Sequence, residues 1–550
     1  MGEADVHLCR DLSVDRAVLT IARERPRHPA VTLGDETVDY GELSDRALEL
    51  VRELTGLPPQ RIGIEGHRSI AAIVAMLGIS SAGHSFAVLN PENPEGLRFD
   101  LRKTAGIQLV IDPLTGELHR DDRFVPSPVG EEIYLLHTSG SSGRPKGVSI
   151  SRGNLAYSTG ARFAVHGRSG VPVSLLLFPL HFDGAMASIW GTLAAGGHLV
   201  IADEAERRDP DAIADLIERH AVTHTITVPS LHAELLPVLA DRRPALKLMV
   251  VAGEALTRAV IDQHFALLPK VPLCNEYGPT ECTIWASYRT YDSPAPPAIG
   301  FPIPGTEIEL LDDRLRAVPD GEVGQIAVSG PGVSAGYVGD PEETAARFAG
   351  GRYLTGDLGR RRADGELEFV GRLDNEIKMR GVRVTLETIE AAVAAAPGVL
   401  AAAVAYDAAN STCYAFVVGR AAGVRARVAE LLGPALVPDH VLVVETLPRT
   451  AHDKVDRERL LADALPAPVE ADDGTLAGRI AGAWATVLGV SPVQAMEGAN
   501  FFGLGGNSLS VLKLARTLSA VAGRRITARE LYRHSTLDEQ LALIGGRDGA

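Results

Sequence analysis

A loop rich in glycine and hydroxyl side chains is the part of this sequence whose residue types most clearly suggest chemistry. It follows a strand-like apolar run and reads Thr138-Ser139-Gly140-Ser141-Ser142-Gly143-Arg144-Pro145-Lys146. Glycine lets backbone N–H groups approach an anion, the hydroxyls add donors, and the lysine, one of only 7 in the chain, adds a positive charge. The loop predicts phosphate binding. Pro145 and Gly147 exclude a Walker A loop, and a surface Gly/Ser loop is the alternative.

Further segments carry groups that suit a nucleotide. Tyr277 offers an aromatic face for a base, and the nearby Glu281 is a carboxylate that can hold Mg²⁺ through oxygen. Asp357 follows a Thr-Gly pair and suits hydrogen bonding to ribose hydroxyls. A charged, glycine-bounded segment lies at 371–381. Taken singly, each is also compatible with a turn, a capped strand or a solvated surface.

Composition excludes several classes of protein. The chain has 550 residues, enough for several domains, and 54 basic against 70 acidic residues give a formal net charge of −16. That balance argues against a nucleic-acid-binding protein. The longest apolar run, 70–83, is too short to span a membrane, and no signal peptide is recognised. The 4 scattered cysteines favour neither a disulfide framework nor a zinc site, so we expect a cytoplasmic protein.

The elements that must position these groups alternate between strands and helices from about residue 40 to 290, which predicts an α/β fold. A helix at 209–220, capped by Asp209, lies among strands at 198–202, 223–228 and 246–251. Short alternating runs at 307–311, 325–329 and 366–370 predict an antiparallel, barrel-like region. A small α+β unit with a helix at 387–393, a Pro-rich acidic linker and a small helical bundle follow.

In this order and at these separations the motifs resemble the adenylate-forming enzyme superfamily, and most closely the amino-acid adenylation domains of non-ribosomal peptide synthetases. The resemblance extends from Val38 to Arg457. It implies an α/β fold of the adenylate-forming (ANL) type, with a large body at 1–373 and a small α+β subdomain at 374–465. A linker at 466–473 and a four-helix peptidyl carrier domain at 474–550 complete the expected organisation.

The resemblance assigns a nucleotide site to residues of several motifs. The loop residues Thr138, Ser139, Gly140, Ser141, Ser142, Gly143 and Lys146 are expected to hold the ATP phosphates. Tyr277 is expected to pack on adenine, with Gly278 beside it and Thr280 near the phosphate. Asp357 and Arg372 are expected to hold the ribose, and Glu281 to bind Mg²⁺.

Two catalytic residues are implied in the same way, Asp374 as the hinge acid and Lys454 as the lysine of the last motif. A fixed cation at that place stabilises the charge that develops when a carboxylate attacks the α-phosphate. The motif departs from the family because Asp453 stands where glycine is usual. A structural salt bridge is therefore the alternative role for Lys454.

The family's Phe-Asp motif matches Asp183, whose counterpart pairs with the substrate α-ammonium group, so an α-amino acid is implied. The other expected substrate-binding residues are Gly184, Ala187, Thr227, Val250, Ala252, Glu276, Ile284 and Trp285. The small residues Gly184, Ala187 and Ala252 leave room for a ring in apolar surroundings. A carboxylate there, Glu276, is costly unless a donor meets it, so we expect a tyrosine or histidine substrate, with tryptophan behind them. The alternatives are that Glu276 turns to a neighbouring arginine and that Trp285 fills the space.

Ser508, which follows a Gly-Gly-Asn turn, resembles the attachment site of peptidyl carrier proteins, and the apolar spacing after it predicts a helix. An ordinary helix cap is the alternative. The resemblance implies ATP, Mg²⁺ and 4′-phosphopantetheine, covalently attached to Ser508, as cofactors. The implied partners are an amino-acid substrate, a phosphopantetheinyl transferase and a downstream tailoring or condensation enzyme in trans, because no such domain fits in the remaining length. Some family members also need a small MbtH-like activator protein. No nucleic-acid or membrane partner is expected.

The sequence therefore predicts an amino-acid adenylating ligase that forms aminoacyl-AMP and loads its own carrier domain as a thioester, in natural-product biosynthesis. An acid–CoA ligase of the same superfamily is one alternative, against which Asp183 and Ser508 argue. A non-catalytic carrier or scaffold built on a degenerate adenylation body is the other.

Overall fold

A computed structural model describes residues 13–139, 145–242, 244–373, 376–380, 382–408, 411–448, 455–464, 475–488, 500–502 and 508–545. These residues fall into two units, and the boundary lies between Thr385 and Leu386. The domain limits expected at 373/374 and at 466–473 remain predictions. Within the described ranges, no helix is both long and apolar enough to cross a lipid bilayer.

The first unit alternates strands and helices before its character changes near residue 291. Up to residue 139 its elements are, in chain order, α1 Val14–Glu24, β1 Pro29–Leu33, β2 Glu36–Asp39, α2 Tyr40–Leu54, β3 Arg61–Glu65, α3 Ile70–Ser81, β4 Ser85–Leu89, α4 Glu95–Ala105, β5 Leu109–Ile111, β6 Leu118–Arg120 and β7 Glu132–Ser139. From residue 145 to 302 they are β8 Pro145–Ser151, α5 Arg152–His166, β9 Val173–Leu176, α6 Asp183–Leu193, β10 His198–Ile201, α7 Pro210–Arg219, β11 His224–Thr227, α8 Pro229–Ala240, β12 Leu248–Ala252, α9 Arg258–Leu267, β13 Leu273–Tyr277, β14 Ser287–Tyr291 and β15 Phe301–Pro302. The remainder are β16 Glu307–Leu311, β17 Val323–Ser329, β18 Tyr337–Val338, α10 Pro341–Arg347, β19 Phe348–Ala349, β20 Arg352–Arg361, β21 Leu367–Arg372, β22 Glu376–Met379 and β23 Val382–Thr385.

Two large sheets form the body of the first unit. Among the described strands, one sheet has the order β15-β14-β13-β12-β11-β9-β10-β1-β2 and the other β18-β8-β7-β4-β3-β5-β6. The strands from β9 to β13 pair in parallel, which confirms the predicted α/β fold. The predicted helix among them is α7, where the side chain of Asp209 accepts a hydrogen bond from the backbone N–H of Asp211 and Pro210 takes the first helical position.

Helices α3 and α6 contribute to a core that residues of both large sheets share. In α3, 9 of the 12 residues are buried, and the apolar residues cover the whole circumference, as expected of a helix enclosed on all sides. In α6, Trp190 is fully buried and its ring lies 6.4 Å from that of Phe86 on β4. This packing holds α6, whose first residue is Asp183, against the sheets.

An antiparallel sheet follows, as the short alternating runs predict. In the described residues it has the order β16-β17-β20-β19, and β21 pairs with β20. The turn before β21 contains Gly365 at φ 84°, a left-handed conformation that glycine adopts readily. Strands β22 and β23 form a separate hairpin.

The second unit contains the small α+β region and the helical bundle. Its elements are α11 Leu386–Ala394, β24 Val399–Asp407, β25 Thr412–Gly419, α12 Val424–Leu432, β26 His440–Val443, α13 Arg457–Ala464, α14 Leu476–Leu488, α15 Ser508–Ala522, α16 Ala528–Arg533 and α17 Leu537–Gly545. Strand β25 pairs with β24 antiparallel and with β26 in parallel. The described helices of the bundle bury Trp484 and Phe501, and the Trp484 Nε1–H donates to Gln540 Oε1 over 2.8 Å.

Candidate functional site

The candidate substrate site lies on one face of the nine-stranded sheet, next to α5 and α6. The strand register pairs Val250 with Cys274 and Ala252 with Glu276. Because side chains alternate along a strand, these four residues share a face. Three of the residues expected to bind substrate, Val250, Ala252 and Glu276, are therefore brought together.

A cavity of about 60 Å³ lies between that face and the two helices, large enough for roughly four water molecules. Val250 and Ala187 border it, together with Arg162 and His166 of α5. The space exists because α6 carries small residues, Ala187 and Gly191, one turn apart on the side that faces α5. Two of the expected substrate residues thus border a cavity.

Asp183, the expected ligand of the substrate amine, is the first residue of α6, where a helix N-terminus favours a carboxylate. Thr280 Oγ1 donates a hydrogen bond to Asp183 Oδ2 over 2.8 Å. Burial raises the pKa of Tyr134, and the negative charge of Asp183 raises it further. The structure therefore joins the expected amine ligand directly to the threonine expected near the phosphate.

Glu276 already receives hydrogen bonds from the protein itself, so the expectation that a donor on the substrate meets this carboxylate is wrong. Arg162 donates to both of its carboxylate oxygens, over 2.7 and 2.6 Å, and His166 Nε2 lies 2.8 Å from Oε1. Burial alone would raise the pKa of Glu276, but the charge of Arg162 and the hydrogen bond with His166 lower it to about 2. The reason is tertiary, because α5 brings its arginine to a strand 114 positions away. The alternative in which Glu276 turns to an arginine is the one observed.

Two further residues of the expected pocket are occupied by packing. Phe178 covers Gly184 so closely that a Cβ there would lie 2.9 Å from the ring, so the room expected beside this glycine is filled. Trp285 is buried, and its ring stacks on His166 at a centroid distance of 5.7 Å. Its indole N–H donates to the backbone oxygen of Ser158 over 3.3 Å. Trp285 therefore packs in the core beside His166, and its expected role in substrate binding remains a prediction.

The backbone beside Trp285 is strained. Thr283 and Ile284 have φ values of 56° and 81°, a left-handed conformation that costs a β-branched residue of the order of 1–3 kcal/mol. Thr283 Oγ1 donates to the Gly332 oxygen over 2.6 Å, and Ser158 Oγ donates to the Thr283 oxygen over 2.8 Å. These bonds hold the turn that carries Ile284. Thr227 lies at the end of β11 and is buried.

The residues expected to hold the nucleoside converge on Asp357. The Tyr277 hydroxyl donates to Asp357 Oδ2 over 2.5 Å, and Arg372 donates to Oδ1. The three side chains come from β13, β20 and β21, and the antiparallel register places Arg372 opposite Asp357. Burial raises the pKa of Tyr277, and the charge of Asp357 raises it further. The arrangement leaves the aromatic ring, a carboxylate and a guanidinium in one place.

The turn between Tyr277 and Thr280 depends on Gly278. A Cβ at this position would lie 2.4 Å from the Cα of Trp285, so the backbone leaves no room for a side chain. The backbone N–H of Ala286 donates to the Tyr277 oxygen over 2.7 Å and closes the turn. Gly278 is thus a packing requirement next to the predicted base-stacking residue.

Glu281 and Lys146, the expected ligands of metal and phosphate, both lie near Tyr337. The Tyr337 hydroxyl donates to Oε1 of the buried Glu281 over 2.7 Å. Lys146 Nζ forms an ion pair with Glu343 over 2.5 Å and lies 5.1 Å from the centre of the Tyr337 ring. A buried carboxylate is an oxygen donor of the kind that Mg²⁺ prefers, so Glu281 fits the expected ion.

Part of the expected site lies outside the described residues. Gly140, Ser141, Ser142 and Gly143 of the loop, the hinge residue Asp374 and the lysine Lys454 belong to that part. Thr138 and Ser139 end β7, opposite Lys146 and Pro145 at the start of β8. The roles assigned to all of these residues remain predictions.

Ser508 begins α15, the helix predicted from the apolar spacing after it. The helix packs against α14 and buries Val511, Leu514 and Leu518. The N-terminus of this 15-residue helix favours a phosphodiester, so the position fits the expected attachment. Phe502, just before it, stacks on Tyr532 of α16 at a centroid distance of 5.4 Å.

Among the described residues of the site, the sequence did not predict the parts played by Arg162, His166, Tyr337, Glu343 and Phe178. Arginine is the common cation of this chain, so no local pattern distinguished Arg162. The spacing of Arg162 and His166 does place both on one helical face. The cost of burying Glu276 was the only sequence signal that such a partner was needed.

Comparison with protein families agrees with this geometry. The family model "AMP-binding enzyme" matches residues 19–338, and "AMP-binding enzyme C-terminal domain" matches 388–454. The model "Phosphopantetheine attachment site" matches 478–544. The expected cofactors, ATP with Mg²⁺ and phosphopantetheine, are those of these domains.

The similar proteins include peptide synthetases. Bacitracin synthase 3 of Bacillus licheniformis is 30% identical over 94% of this chain and 9% of its own length. Phosphinothricin tripeptide synthetase PhsC of Streptomyces viridochromogenes is 32% identical over 94% of this chain and 51% of its own. The chain thus spans about half, or much less, of these relatives. A solved structure, holo-PA1221, described as a peptide synthetase protein with adenylation and PCP domains, superposes with a TM-score of 0.82 at 26% identity. The match covers 97% of this chain and 96% of the holo-PA1221 chain.

Proposed function

We propose that this chain, which belongs to the AMP-binding enzyme family, activates an α-amino acid with ATP as aminoacyl-AMP. It then loads the aminoacyl group as a thioester onto its own carrier domain. The observation that carries the proposal is the hydrogen bond from Thr280 to Asp183. It joins a carboxylate suited to a substrate amine to the turn that carries Tyr277 and Glu281. A carboxylate at that junction can hold an amino acid with its own carboxylate directed towards the nucleotide.

Each residue has a distinct part in the proposal. Tyr277 packs on the adenine, while Asp357 and Arg372 bind the ribose hydroxyls. The loop from Thr138 to Lys146 binds the phosphates, so Lys146 would exchange Glu343 for a phosphate oxygen. Lys454 stabilises charge at the attacked α-phosphate, and Asp374 is the pivot about which the C-terminal region turns between the two half-reactions.

Two groups that the family implies complete the chemistry. Bound Mg²⁺ would neutralise the departing pyrophosphate, and Glu281 would hold it. Phosphopantetheine on Ser508 would supply a thiol on a long arm, attached by a phosphopantetheinyl transferase. A separate tailoring or condensation enzyme is the proposed user of the loaded residue, and a small MbtH-like protein is a candidate activator.

For the side chain of the amino acid, we propose an aromatic or heteroaromatic group, tyrosine or histidine. The support is now the cavity beside Ala187 and Val250 rather than an unmet carboxylate. A phenol or imidazole entering there would meet Arg162 and His166, which already share Glu276. Hydrogen bonding to that charged group favours a ring with a polar atom over a plain phenyl ring.

Amino-acid-dependent pyrophosphate exchange over a panel of substrates tests the proposal. We expect exchange with one or a few α-amino acids, and its loss in Asp183→Ala and Lys454→Ala. The exposed Asp241→Asn is the matched control and should keep full exchange. Exchange only with acids that lack an amine would favour an acid–CoA ligase instead. Exchange with nothing would support the non-catalytic scaffold.

Intact mass of the phosphopantetheinylated protein tests the second half of the proposal. Incubation with ATP and mixed amino acids should add the mass of one aminoacyl group. Ser508→Ala should abolish that addition and leave pyrophosphate exchange intact. Loading that survives Ser508→Ala would refute the assigned attachment site.

A further inference from the structure

We infer that Arg162 is a specificity-determining residue, because its guanidinium occupies the place that a basic substrate side chain would take against Glu276. The chain therefore excludes ornithine- and lysine-like side chains, and loss of Arg162 should admit them. The inference rests on the proposed function in one respect, namely that the amino-acid side chain enters the cavity that Ala187 and Val250 border.

Arg162 is built into the site by several contacts. Both terminal nitrogens donate to Glu276, over 2.7 and 2.6 Å, in the two-pronged geometry that matches a guanidinium to a carboxylate. The guanidinium also lies 4.6 Å from the ring centre of Trp285. Its side chain crosses α6 at Gly191, where a Cβ would come within 3.1 Å of the arginine Cδ. The glycine lets α5 and α6 approach closely enough for the pair to form.

The ion pair is buried, so its two charges depend on each other. The side chain of Arg162 is 10% exposed and that of Glu276 only 2%. A buried carboxylate without a counter-charge is strongly disfavoured, and removing one partner leaves the other uncompensated. A pocket with Glu276 and no Arg162 would therefore bind any cation that reaches it.

The guanidinium also lies where a substrate side chain must pass. Arg162 and His166 border the same cavity as Ala187 and Val250. Most of the other lining is apolar or neutral, with Ile226 and Leu248 on the sheet side. A basic side chain entering beside Ala187 would meet a guanidinium first. Like charges in so confined a space exclude one another, and an uncharged side chain meets no such penalty.

Two other groups could compensate the charge of Glu276, and the test has to distinguish them from a substrate cation. His166 already lies 2.8 Å from Glu276, and in a variant it could carry the compensating proton. His166, Cys274 and Glu276 also place one ligand atom each within 4.8 Å, close enough for a metal ion. In the protein as it stands, Arg162 takes both carboxylate oxygens and opposes such an ion.

The test compares Arg162→Met with the double variant Arg162→Met/Glu276→Leu, which removes the whole pair. Arg168→Met, an exposed arginine just beyond α5, is the matched control. In pyrophosphate exchange, Arg162→Met should raise kcat/KM for ornithine over that for its neutral isostere norleucine by about tenfold or more relative to the unchanged protein. The double variant and the control should show no such gain. A gain that persists in the double variant, or none in Arg162→Met, overturns the inference.

A binding measurement separates this inference from the proposed function. The melting temperature of Arg162→Met should rise with n-butylammonium and remain unchanged with n-butanol, with 1,10-phenanthroline present to remove transition metals. Neither the unchanged protein nor the double variant should respond. A rise in the double variant, or none in Arg162→Met, refutes the cation site even if the unchanged protein activates amino acids.

A reciprocal variant covers the case in which Arg162→Met fails to fold. Glu276→Gln leaves the guanidinium without its carboxylate and keeps the shape of the side chain. It should gain exchange with aspartate or glutamate relative to asparagine or glutamine, because an acidic side chain then supplies the missing charge. An unchanged preference in Glu276→Gln would contradict the inference.

Discussion

The hydrogen bond between Thr280 and Asp183 leads to a quantitative prediction about how this protein recognises an amine. In Thr280→Val the side chain keeps its shape but loses the hydroxyl that donates to Asp183 over 2.8 Å. We expect the carboxylate to lose orientation. The first consequence should be weaker recognition of the substrate amine rather than of ATP.

The magnitude follows from the kind of bond and its surroundings. A hydrogen bond to a charged acceptor contributes about 1.5–3 kcal/mol. This one is only partly buried, so the lower end applies, and about 1.5 kcal/mol corresponds to roughly a tenfold loss of kcat/KM for the amino acid. Thr280→Ser keeps the donor and should retain most of the activity.

Pyrophosphate exchange with the amino acid and ATP varied in turn is the assay. Thr280→Val should raise KM for the amino acid with little change in KM for ATP. In a double-mutant cycle, Thr280→Val should add almost nothing to the loss already caused by Asp183→Ala, since the two residues act through one contact. A rise confined to KM for ATP, or full additivity in the cycle, would show that Thr280 acts on the phosphate and not through Asp183.

Three other predictions concern the nucleoside site, the turn beside it and a buried histidine pair. Tyr277→Phe removes the donor to Asp357 and should raise KM for ATP about tenfold with KM for the amino acid unchanged; the opposite split would contradict the assignment. Gly278→Ala places a Cβ 2.4 Å from neighbouring backbone and should lower the free energy of unfolding by about 1–3 kcal/mol, measured by urea denaturation. Burial, then the nearby His264, lowers the pKa of His232 to about 3, and burial also lowers that of His264. Both histidines are neutral in the folded protein but become protonated in the unfolded chain below about pH 6.5. Each therefore lowers the free energy of unfolding by up to about 1.4 kcal/mol per pH unit as the pH falls from 6.5 towards its pKa in the folded protein. His232→Leu should weaken this dependence between pH 6.5 and 5, and equal slopes would count against it.

The regular parts of the fold could be predicted because their signals are local. The helix after Asp209 is a clear case: a capping side chain, a proline at the first position and apolar residues at helical spacing all agree. The parallel sheet around it followed from the alternation of strand and helix. The shared site of Tyr277, Asp357 and Arg372 was predicted only from the family resemblance. Nothing in the spacing of these residues indicates that their three strands come together.

The substrate pocket was only partly predictable because its contents are decided by tertiary packing. A buried carboxylate needs a donor, but the sequence does not distinguish a donor on the substrate from Arg162, which lies 114 positions away. The space expected beside Gly184 likewise depends on a neighbour, Phe178, that the family motif does not mention. The cost of burying a carboxylate can be inferred from the sequence. The group that compensates its charge can be identified only in the folded structure.

The left-handed turn at Thr283 and Ile284 has a consequence for anyone who redesigns this protein. A residue library at Ile284 would change backbone strain together with pocket shape, because asparagine or glycine tolerates a φ of 81° far better than isoleucine does. Clones selected for a new monomer would then be enriched for relaxed folding as much as for fit. Pairing each such clone with its melting temperature would separate the two contributions.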